Sequence, residues 1–397
     1  MSQNHDTLRR DLDGLQKMAI AIGVIACLGA GYAWTQDQKE FREAYLHSFF
    51  FWLAPTLGSL SLYMIHQLTG GRWGASMRRM LEAGMRMIPF LALLFIPVLL
   101  QIDQYYPWAD HSHGHDVILA HKEGWLNKPF FIIRAAIYFL TWFLLAGVML
   151  RVSARKDEGD FAAAGKARLT AGPGVLLFAL TMTFAAFDWA MSLEPHWFST
   201  IYGAIFMVGQ ALLTMAGCIM MGNWLRKREP FAKVFKENIF HDMGTLMFAI
   251  VMLWAYTNFS QYLIIWSGNL NEETPWIHLR TSTEWQKIAL ALVALHFFVP
   301  FFLLLFRKNK KHASILAGIA LLMFVMRWVD IYWYIGPAFG GHGEHADHGP
   351  HLHWIDFVMP VAMGGIWIGL FLQAFKNKPF VTEHDLEMSG SLQHAHH

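Results

Sequence analysis

The segment FDWAMSLEPHWFSTIYG, residues 187–203, separates two long apolar runs and carries Asp188, Glu194 and His196 among tryptophans. A carboxylate at the end of an apolar run is costly in a bilayer and needs a partner, a cavity or a function. Pro195 favours a turn. The segment therefore predicts a connection between two membrane-spanning helices, with Asp188 inside the first of them.

The composition indicates an integral membrane protein. Of 397 residues, 55% are hydrophobic and only 15% are charged, whereas soluble domains carry about 25% charged residues. The mean hydropathy is +0.32. Two cysteines, Cys27 and Cys218, exclude a disulfide framework and a C-x-x-C-H haem site. The polar start MSQNHDTLRRDLDG is expected to be a cytoplasmic leader and not a signal peptide.

A helix crosses the hydrocarbon core with about 20 apolar residues. Apolar runs of that length predict an all-α fold in a single polytopic membrane domain, residues 1–397, with about ten transmembrane helices. The predicted spans are 17–35, 44–69, 80–101, 129–150, 172–191, 200–224, 242–267, 285–306, 313–336 and 354–375.

Basic residues predict the orientation. Of the 31 Lys and Arg residues, 22 lie on the side of the termini and 6 on the other side, while Arg86, Arg134 and Arg327 lie inside spans. Both termini are therefore expected in the cytoplasm. The spans in 44–191 and 200–336 are expected to form two four-helix bundles, with the first and last helices flanking them.

Ionisable residues inside the spans are the candidates for function. Glu82 and Arg86 stand four apart, and Arg327 and Asp330 three apart, so each set can form an ion pair on one helix face. The alternative is a proton path. Its inner part would contain Glu82, Arg86 and His296, and its outer part Arg327, Asp330, Asp188 and Asp356.

Two of these residues precede a proline by four positions. His296 lies about 16 Å into its span at 1.5 Å per residue, close to the midplane, and Pro300 follows it. A proline there frees the carbonyl of residue 296 and tends to kink the helix. Asp356 and Pro360 repeat the arrangement in the last span, which shifts the balance toward a functional role for both residues. The other interpretation of His296 is a structural histidine that is hydrogen-bonded to a neighbouring helix.

Asp188 lies about 22 Å along its span, and Arg134, His47 and Trp189 are expected at a similar depth. A quinone headgroup needs a hydrogen-bond donor, a proton acceptor and flat apolar walls. These four residues are therefore the candidates for an outer-side quinone or menaquinone pocket. The other interpretation is a polar cluster that holds helices together.

The sequence predicts neither a metal site nor a covalently bound cofactor. The His-rich loops 111–116 and 342–353 have Gly-rich spacing that fixes no ligand geometry. His47, His66 and His296 are expected at three different depths, so they do not suit an intramembrane haem.

Three stretches carry a family resemblance. FDWAMSLEPHWFSTIYG, YTNFSQYLIIWSGNLNEETPW at 256–276 and HQLTGGRWG at 66–74 resemble the ActF membrane subunits of bacterial alternative complex III, within the wider group of polysulfide-reductase-type (NrfD-like) membrane subunits. The resemblance covers essentially the whole chain.

The resemblance implies a subunit of a quinol:electron-acceptor (cytochrome c) oxidoreductase in a bacterial cytoplasmic membrane. The expected partners are an ActC-like quinol subunit, iron–sulfur and c-type cytochrome subunits that hold the redox centres, and lipid, with no nucleic acid. The chain would conduct protons and support the complex, or bind quinol itself near Asp188. A stand-alone secondary transporter is a third hypothesis.

Overall fold

The computed structural model describes residues 2–110, 116–160, 162–340 and 349–381, and within these ranges the chain is helical and contains no strand. Among the described residues, ten helices are long and apolar enough to cross a membrane. The predicted all-α membrane architecture is confirmed at this level. In a bilayer, a helix satisfies every backbone donor and acceptor within its own segment, which is why the apolar runs adopt this form.

The part of the chain that the structure describes contains sixteen α-helices and ten candidate spans, in which α3 and α4 share one span and α12 and α13 share another. The helices are α1 Ser2–Gln36, α2 Gln38–Thr69, α3 Arg72–Met85, α4 Ile88–Leu100, α5 Ile102–Tyr105, α6 Val117–Lys122, α7 Lys128–Asp157, α8 Ala162–Trp189, α9 Tyr202–Leu225, α10 Glu237–Gly268, α11 Thr274–Ser282, α12 Trp285–Ala291, α13 Val299–Leu305, α14 Arg307–Lys311, α15 Ala313–Ile335 and α16 Trp354–Lys376. Each of the ten predicted spans overlaps one of the observed spans.

Short polar signals set the helix ends. The Asp37 side chain accepts from the Lys39 amide at 2.8 Å and starts α2, as Asn127 does for α7 through the Phe130 amide. The third resemblance motif contains the turn after α2. Gly70 and Gly71 have φ angles of 71° and 103° there, a region that side chains disfavour.

Two spans depart from the predicted continuous helices. The third breaks at Arg86 and Met87, where Pro89 cannot donate a hydrogen bond to the preceding turn. In the eighth span, residues Leu292–Phe298 form a π-helix between α12 and α13. Pro300 has no amide hydrogen to donate, and the wider π turn accommodates this. A π-helix therefore precedes Pro300, where the sequence predicted a kink.

Helix α2 lies at the centre of the molecule and contacts α3, α8, α9 and α16. In the most apolar 18-residue stretch of each helix, 89% of the residues of α2 are buried but only 17% of those of α1. Helix α1 packs along α16. We call the face where α1 begins and α16 ends the terminal face, and the opposite face the loop face. The Arg9 guanidinium lies 5.9 Å from the Phe380 ring at the terminal face.

Candidate functional site

Asp188 accepts hydrogen bonds from three side chains at the loop-face end of α8. Arg134 donates from Nε to Oδ2 at 2.7 Å and from its NH2 group to Oδ1 at 3.0 Å. Tyr138 donates to Oδ2 at 2.7 Å and Trp125 donates to Oδ1 at 2.9 Å. Asp188 is 1% exposed. Arg134, Tyr138, Trp125 and Asp188, which we call the Asp188 clamp, therefore form a closed polar group in which both carboxylate oxygens are engaged.

The structure brings Arg134 and Asp188 together and places the other two pocket candidates apart from the carboxylate. The Trp189 ring packs on Phe95, with ring centroids 4.3 Å apart. The His47 ring faces α15, where its Nε2 lies 2.9 Å from the Trp328 carbonyl oxygen. The sequence does not determine the direction of either side chain.

The first two resemblance motifs meet in space at the loop face. Arg280 donates to Glu194 at 2.6 Å, Trp276 donates to the same carboxylate at 3.0 Å, and the rings of Trp197 and Trp276 stack with centroids 4.2 Å apart. Ser199 donates to the side chain of Gln261. Glu194 and Ser199 therefore attach the 187–203 connection to α10 and α11.

A second buried polar group lies among α10, the π-helix and α15. Arg327 donates to Asp330 Oδ2, which also accepts from Trp254 Nε1 at 3.0 Å. The His296 ring stacks on Trp254 with centroids 4.2 Å apart. Trp254 is 4% exposed and the other three side chains are 1% exposed or less. We call these four residues the Asp330 cluster.

Several polar atoms of the Asp330 cluster have no hydrogen-bond partner within the described residues. They are Asp330 Oδ1, Arg327 Nε, and both ring nitrogens of His296. An unsatisfied buried polar group costs about 1–3 kcal/mol, and membrane proteins retain such groups where they line ion or substrate pathways. His296 also lies in a π-helix, a feature that is frequent at functional sites.

A cavity of about 690 Å³ opens beside this cluster and is bounded by α10, α11, the eighth span and α15. Asp330 and Trp254 are part of its wall, together with Asn258 and Gln261. The rest of the lining is largely apolar and aromatic. We call it the lateral cavity, because Tyr256 and other exposed side chains of its rim lie on the apolar outer surface of the helices.

A third buried group lies toward the terminal face. Glu82 accepts from Arg78 and from Arg79, each at 3.0 Å, and from Ser153. Arg79 also donates to Asp157 at 2.8 Å. We call Arg78, Arg79, Glu82, Ser153 and Asp157 the Glu82 cluster.

Arg86 was the predicted ion-pair partner of Glu82, and the structure shows different partners. Arg86 is exposed at the break after α3, whereas Arg78 and Arg79 are buried and reach Glu82 from the preceding turn.

Polar residues of α9 and α2 lie between the Asp330 cluster and the Glu82 cluster. Gly209 lies against the Arg327 guanidinium, and Thr214 donates to the Gln210 carbonyl at 2.9 Å. Thr214 also lies 3.4 Å from the Pro55 carbonyl oxygen, to which Ser59 donates at 2.6 Å.

The Ser59 hydroxyl lies against Gly84, two residues after Glu82 on α3. These contacts therefore lead from Arg327 to within two residues of Glu82.

Asp356 lies at the first turn of α16, where its side chain accepts from the His353 amide at 2.8 Å. This is a capping contact and explains a carboxylate there without a further role. Residues 111–115 and 341–348 of the His-rich loops lie outside the described residues. Within the described ranges, no group of three or more His, Cys, Asp or Glu side chains is arranged to hold a metal ion.

The contact between Asp116 and His196 predicts an acid-sensitive attachment of α6. His196 Nε2 lies 2.5 Å from Asp116 Oδ2, and Asp116 also caps α6 through the Ile118 and Leu119 amides. The His196 hydrogen bond lowers the pKa of Asp116 below its ordinary value. The stabilisation is therefore complete above about pH 4 and is lost as the pH falls through the lowered pKa.

Hydrogen-exchange protection of the α6 amides, corrected for intrinsic rates, should fall over this range. In the Asp116→Asn variant, protection of the α6 amides should be lower than in the wild type and should not change with pH over this range. Wild-type protection that stays constant down to about pH 2 would contradict the attachment.

Sequence reasoning missed several residues that complete these groups: Trp125, Tyr138, Arg78, Arg79, Asp157 and Trp254. The charged ones lie near predicted span ends, where they count toward orientation and resemble solvated residues. Trp125 resembles an interfacial tryptophan, whereas Tyr138 and Trp254 lie well inside predicted spans, where aromatic side chains resemble ordinary packing residues. One available signal was Tyr138, which follows Arg134 by four residues and therefore shares its helix face.

No family model matches this sequence, and no curated protein matches it.

Proposed function

We propose that this chain is an integral membrane subunit of a quinol-oxidising electron-transfer complex of the alternative complex III type, and that it conducts protons without a redox centre of its own. The resemblance of the three motifs to ActF-like subunits supports the first part. The observation that supports the second is the Asp330 cluster, in which a carboxylate oxygen and both imidazole nitrogens are buried and unpartnered within the described residues.

Carboxylate and imidazole groups suit proton transfer because each of them can both bind and release a proton. His296 lies close to the middle of its span, stacked on the tryptophan that donates to Asp330. The residues between Arg327 and Ser59 lead from there toward Glu82. In the proposed path, protons move between His296 and Asp330 on one side and the Glu82 cluster on the other.

Two other functions have less support. A quinol site at Asp188 needs an acceptor that is open to the ligand, and both oxygens of Asp188 are already engaged by Arg134, Tyr138 and Trp125. Asp188→Asn should therefore leave the KM for quinol unchanged. A stand-alone transporter would purify without haem-containing subunits, whereas the proposed subunit should co-purify with them.

The proton role is tested with His296→Leu in the intact complex reconstituted into vesicles. Leucine preserves the apolar packing and removes the titratable ring, so quinol oxidation should continue. Protons released per quinol should fall to the number that quinol itself supplies. Leu295→Ala, at the neighbouring residue that is 40% exposed, is the control and should leave both quantities unchanged. An unchanged proton stoichiometry in His296→Leu would overturn the proton role.

We further propose two four-helix bundles, α2 to α8 and α9 to α15, with α1 and α16 flanking them and both termini in the bacterial cytoplasm. Contacts of α7 with α8, of α9 with α15 and of α1 with α16 support the grouping. The excess of Lys and Arg on the terminal face supports the orientation. Arg78 and Arg79 are counted in that excess, although both are buried and form ion pairs with Glu82.

A further inference from the structure

Basic side chains are concentrated where the eighth span meets the ninth at the terminal face. Four of the five residues of α14, RKNKK at 307–311, are basic, and all four are exposed or partly exposed. The Arg226 NH2 group donates to Ser314 Oγ at 3.2 Å, which brings the end of α9 to the first turn of α15, directly beyond α14. We call the five basic residues here the α14 basic rim: Arg226, Arg307, Lys308, Lys310 and Lys311.

The charge of the α14 basic rim is not balanced by a described carboxylate. Other basic residues of the terminal face form ion pairs, such as Arg72 with Asp242 and Arg228 with Asp11, each at 3.2 Å. Within the described ranges, no rim residue has a carboxylate partner. The rim therefore carries an excess of positive charge that attracts an anion from outside the described part of the chain.

The rim lies directly beside apolar surface of the membrane spans. Phe302, Leu305 and Phe306 are exposed large apolar side chains at the end of the eighth span, and Ile315 is exposed in the first turn of the ninth. A molecule that satisfies both surfaces has an anionic group joined to an apolar tail.

We propose that the α14 basic rim binds the headgroup of an anionic glycerophospholipid, whose acyl chains lie along the exposed apolar residues of α13 and the start of α15. The site goes beyond the proposed function and depends neither on quinol oxidation nor on proton conduction.

The chemistry of the rim determines the headgroup. Lysine ammonium groups bind phosphate as compact point charges, and clusters of basic residues immediately beyond a membrane-spanning helix attract anionic lipids. Lys310 lies against Gly244 of α10, and its Nζ atom is 5.6 Å from the centroid of the Phe248 ring, so packing holds its stem in place. A zwitterionic headgroup carries its own cation and gains less from this surface.

The test uses the full-length protein in phosphatidylcholine nanodiscs that contain a small fraction of a lipid with a photoreactive diazirine in one acyl chain. Cross-links mapped by mass spectrometry should fall in 301–306 and 314–318. A phosphatidylglycerol probe should label these residues at least about tenfold more than a phosphatidylcholine probe at the same fraction. Equal labelling by the two probes would overturn the proposal.

Inorganic phosphate distinguishes a lipid site from a general anion site. It has the anionic group but no acyl chain, so adding it at constant ionic strength should leave the phosphatidylglycerol labelling unchanged. Loss of the labelling to inorganic phosphate would show that the apolar surface contributes nothing, and would overturn the lipid site.

Two double variants separate the rim from the general charge of the terminal face. Lys308→Gln with Lys311→Gln should lower the phosphatidylglycerol labelling about tenfold. Lys166→Gln with Arg168→Gln removes the same charge from exposed residues of α8 and should preserve it. Weak labelling by the phosphatidylcholine probe, equal in both variants and the wild type, checks that the fold is intact. Equal loss in both variants, or full labelling in the first, would overturn the proposal.

The C-terminal segment supplies the competing occupant. Residues 382–397 carry three carboxylates and lie outside the described residues. A chain that ends at residue 381 should show the same phosphatidylglycerol labelling as the full-length protein. Labelling that appears only in the shortened chain would assign the α14 basic rim to this segment and overturn the lipid site.

Discussion

Replacing Asp188 with alanine is expected to destabilise the folded protein by about 3–5 kcal/mol, because the guanidinium of Arg134 then remains buried without its counter-charge. Arg134 is 4% exposed, and its guanidinium lies over the rings of Trp125 and Phe130 at 4.3 Å from each centroid. Reversible unfolding in mixed micelles measures the change in the free energy of unfolding.

Two further variants separate charge from packing. Arg134→Met combined with Asp188→Leu removes both charges and retains side-chain volume, so it should be less destabilised than Asp188→Ala. Asp103→Ala removes the Lys128 partner of a half-exposed ion pair and should cost at most about 1 kcal/mol. If Asp188→Ala is as stable as Asp103→Ala, the Asp188 clamp does not hold the helices together.

Replacing Gly58 with valine is expected to destabilise the protein by about 3 kcal/mol, the upper part of the usual range for overpacking. A Cβ atom at this position would overlap the Thr214 hydroxyl and the Gln210 carbonyl group. The carbonyl belongs to the α9 backbone, so α2 and α9 would have to separate. The change would also disturb the contacts that lead from the Asp330 cluster toward the Glu82 cluster.

Gly217→Val on α9 is the matched control for Gly58→Val. A Cβ atom at residue 217 meets nothing within 4 Å, so its free energy of unfolding should change by no more than about 0.5 kcal/mol. Thermal unfolding of both variants in the same lipid gives the comparison. Equal destabilisation would contradict the close approach of α2 and α9 as the cause, because valine has the higher helix propensity at both positions.

The positions of the membrane spans were predictable because hydropathy reports directly on the length of chain that a bilayer accepts. The predicted span 313–336 and the observed helix Ala313–Ile335 differ by one residue at one end. The start of α8 was less predictable. That helix begins at Ala162 and not at residue 172, because its first turns do not need apolar residues.

The partners of the buried charges were only partly predictable. Arg327 and Asp330 pair within one helix, where a separation of three residues is a sufficient guide. Glu82 and Arg86 have a similar separation, but the break after α3 places Arg86 in an exposed position. Local spacing therefore predicts a pair only where the helix continues unbroken.

The sequence alone determined that the chain is a ten-span helical membrane protein and which ionisable residues its helices carry, since both follow from one-dimensional patterns of hydropathy. Only the tertiary structure decided that both oxygens of Asp188 are engaged by Arg134, Tyr138 and Trp125. It also decided that Asp330 Oδ1 has no hydrogen-bond partner among the described residues. The physical reason is that depth in the membrane depends on position along a helix, whereas a hydrogen-bond partner depends on rotation about the helix axis and on the neighbouring helix.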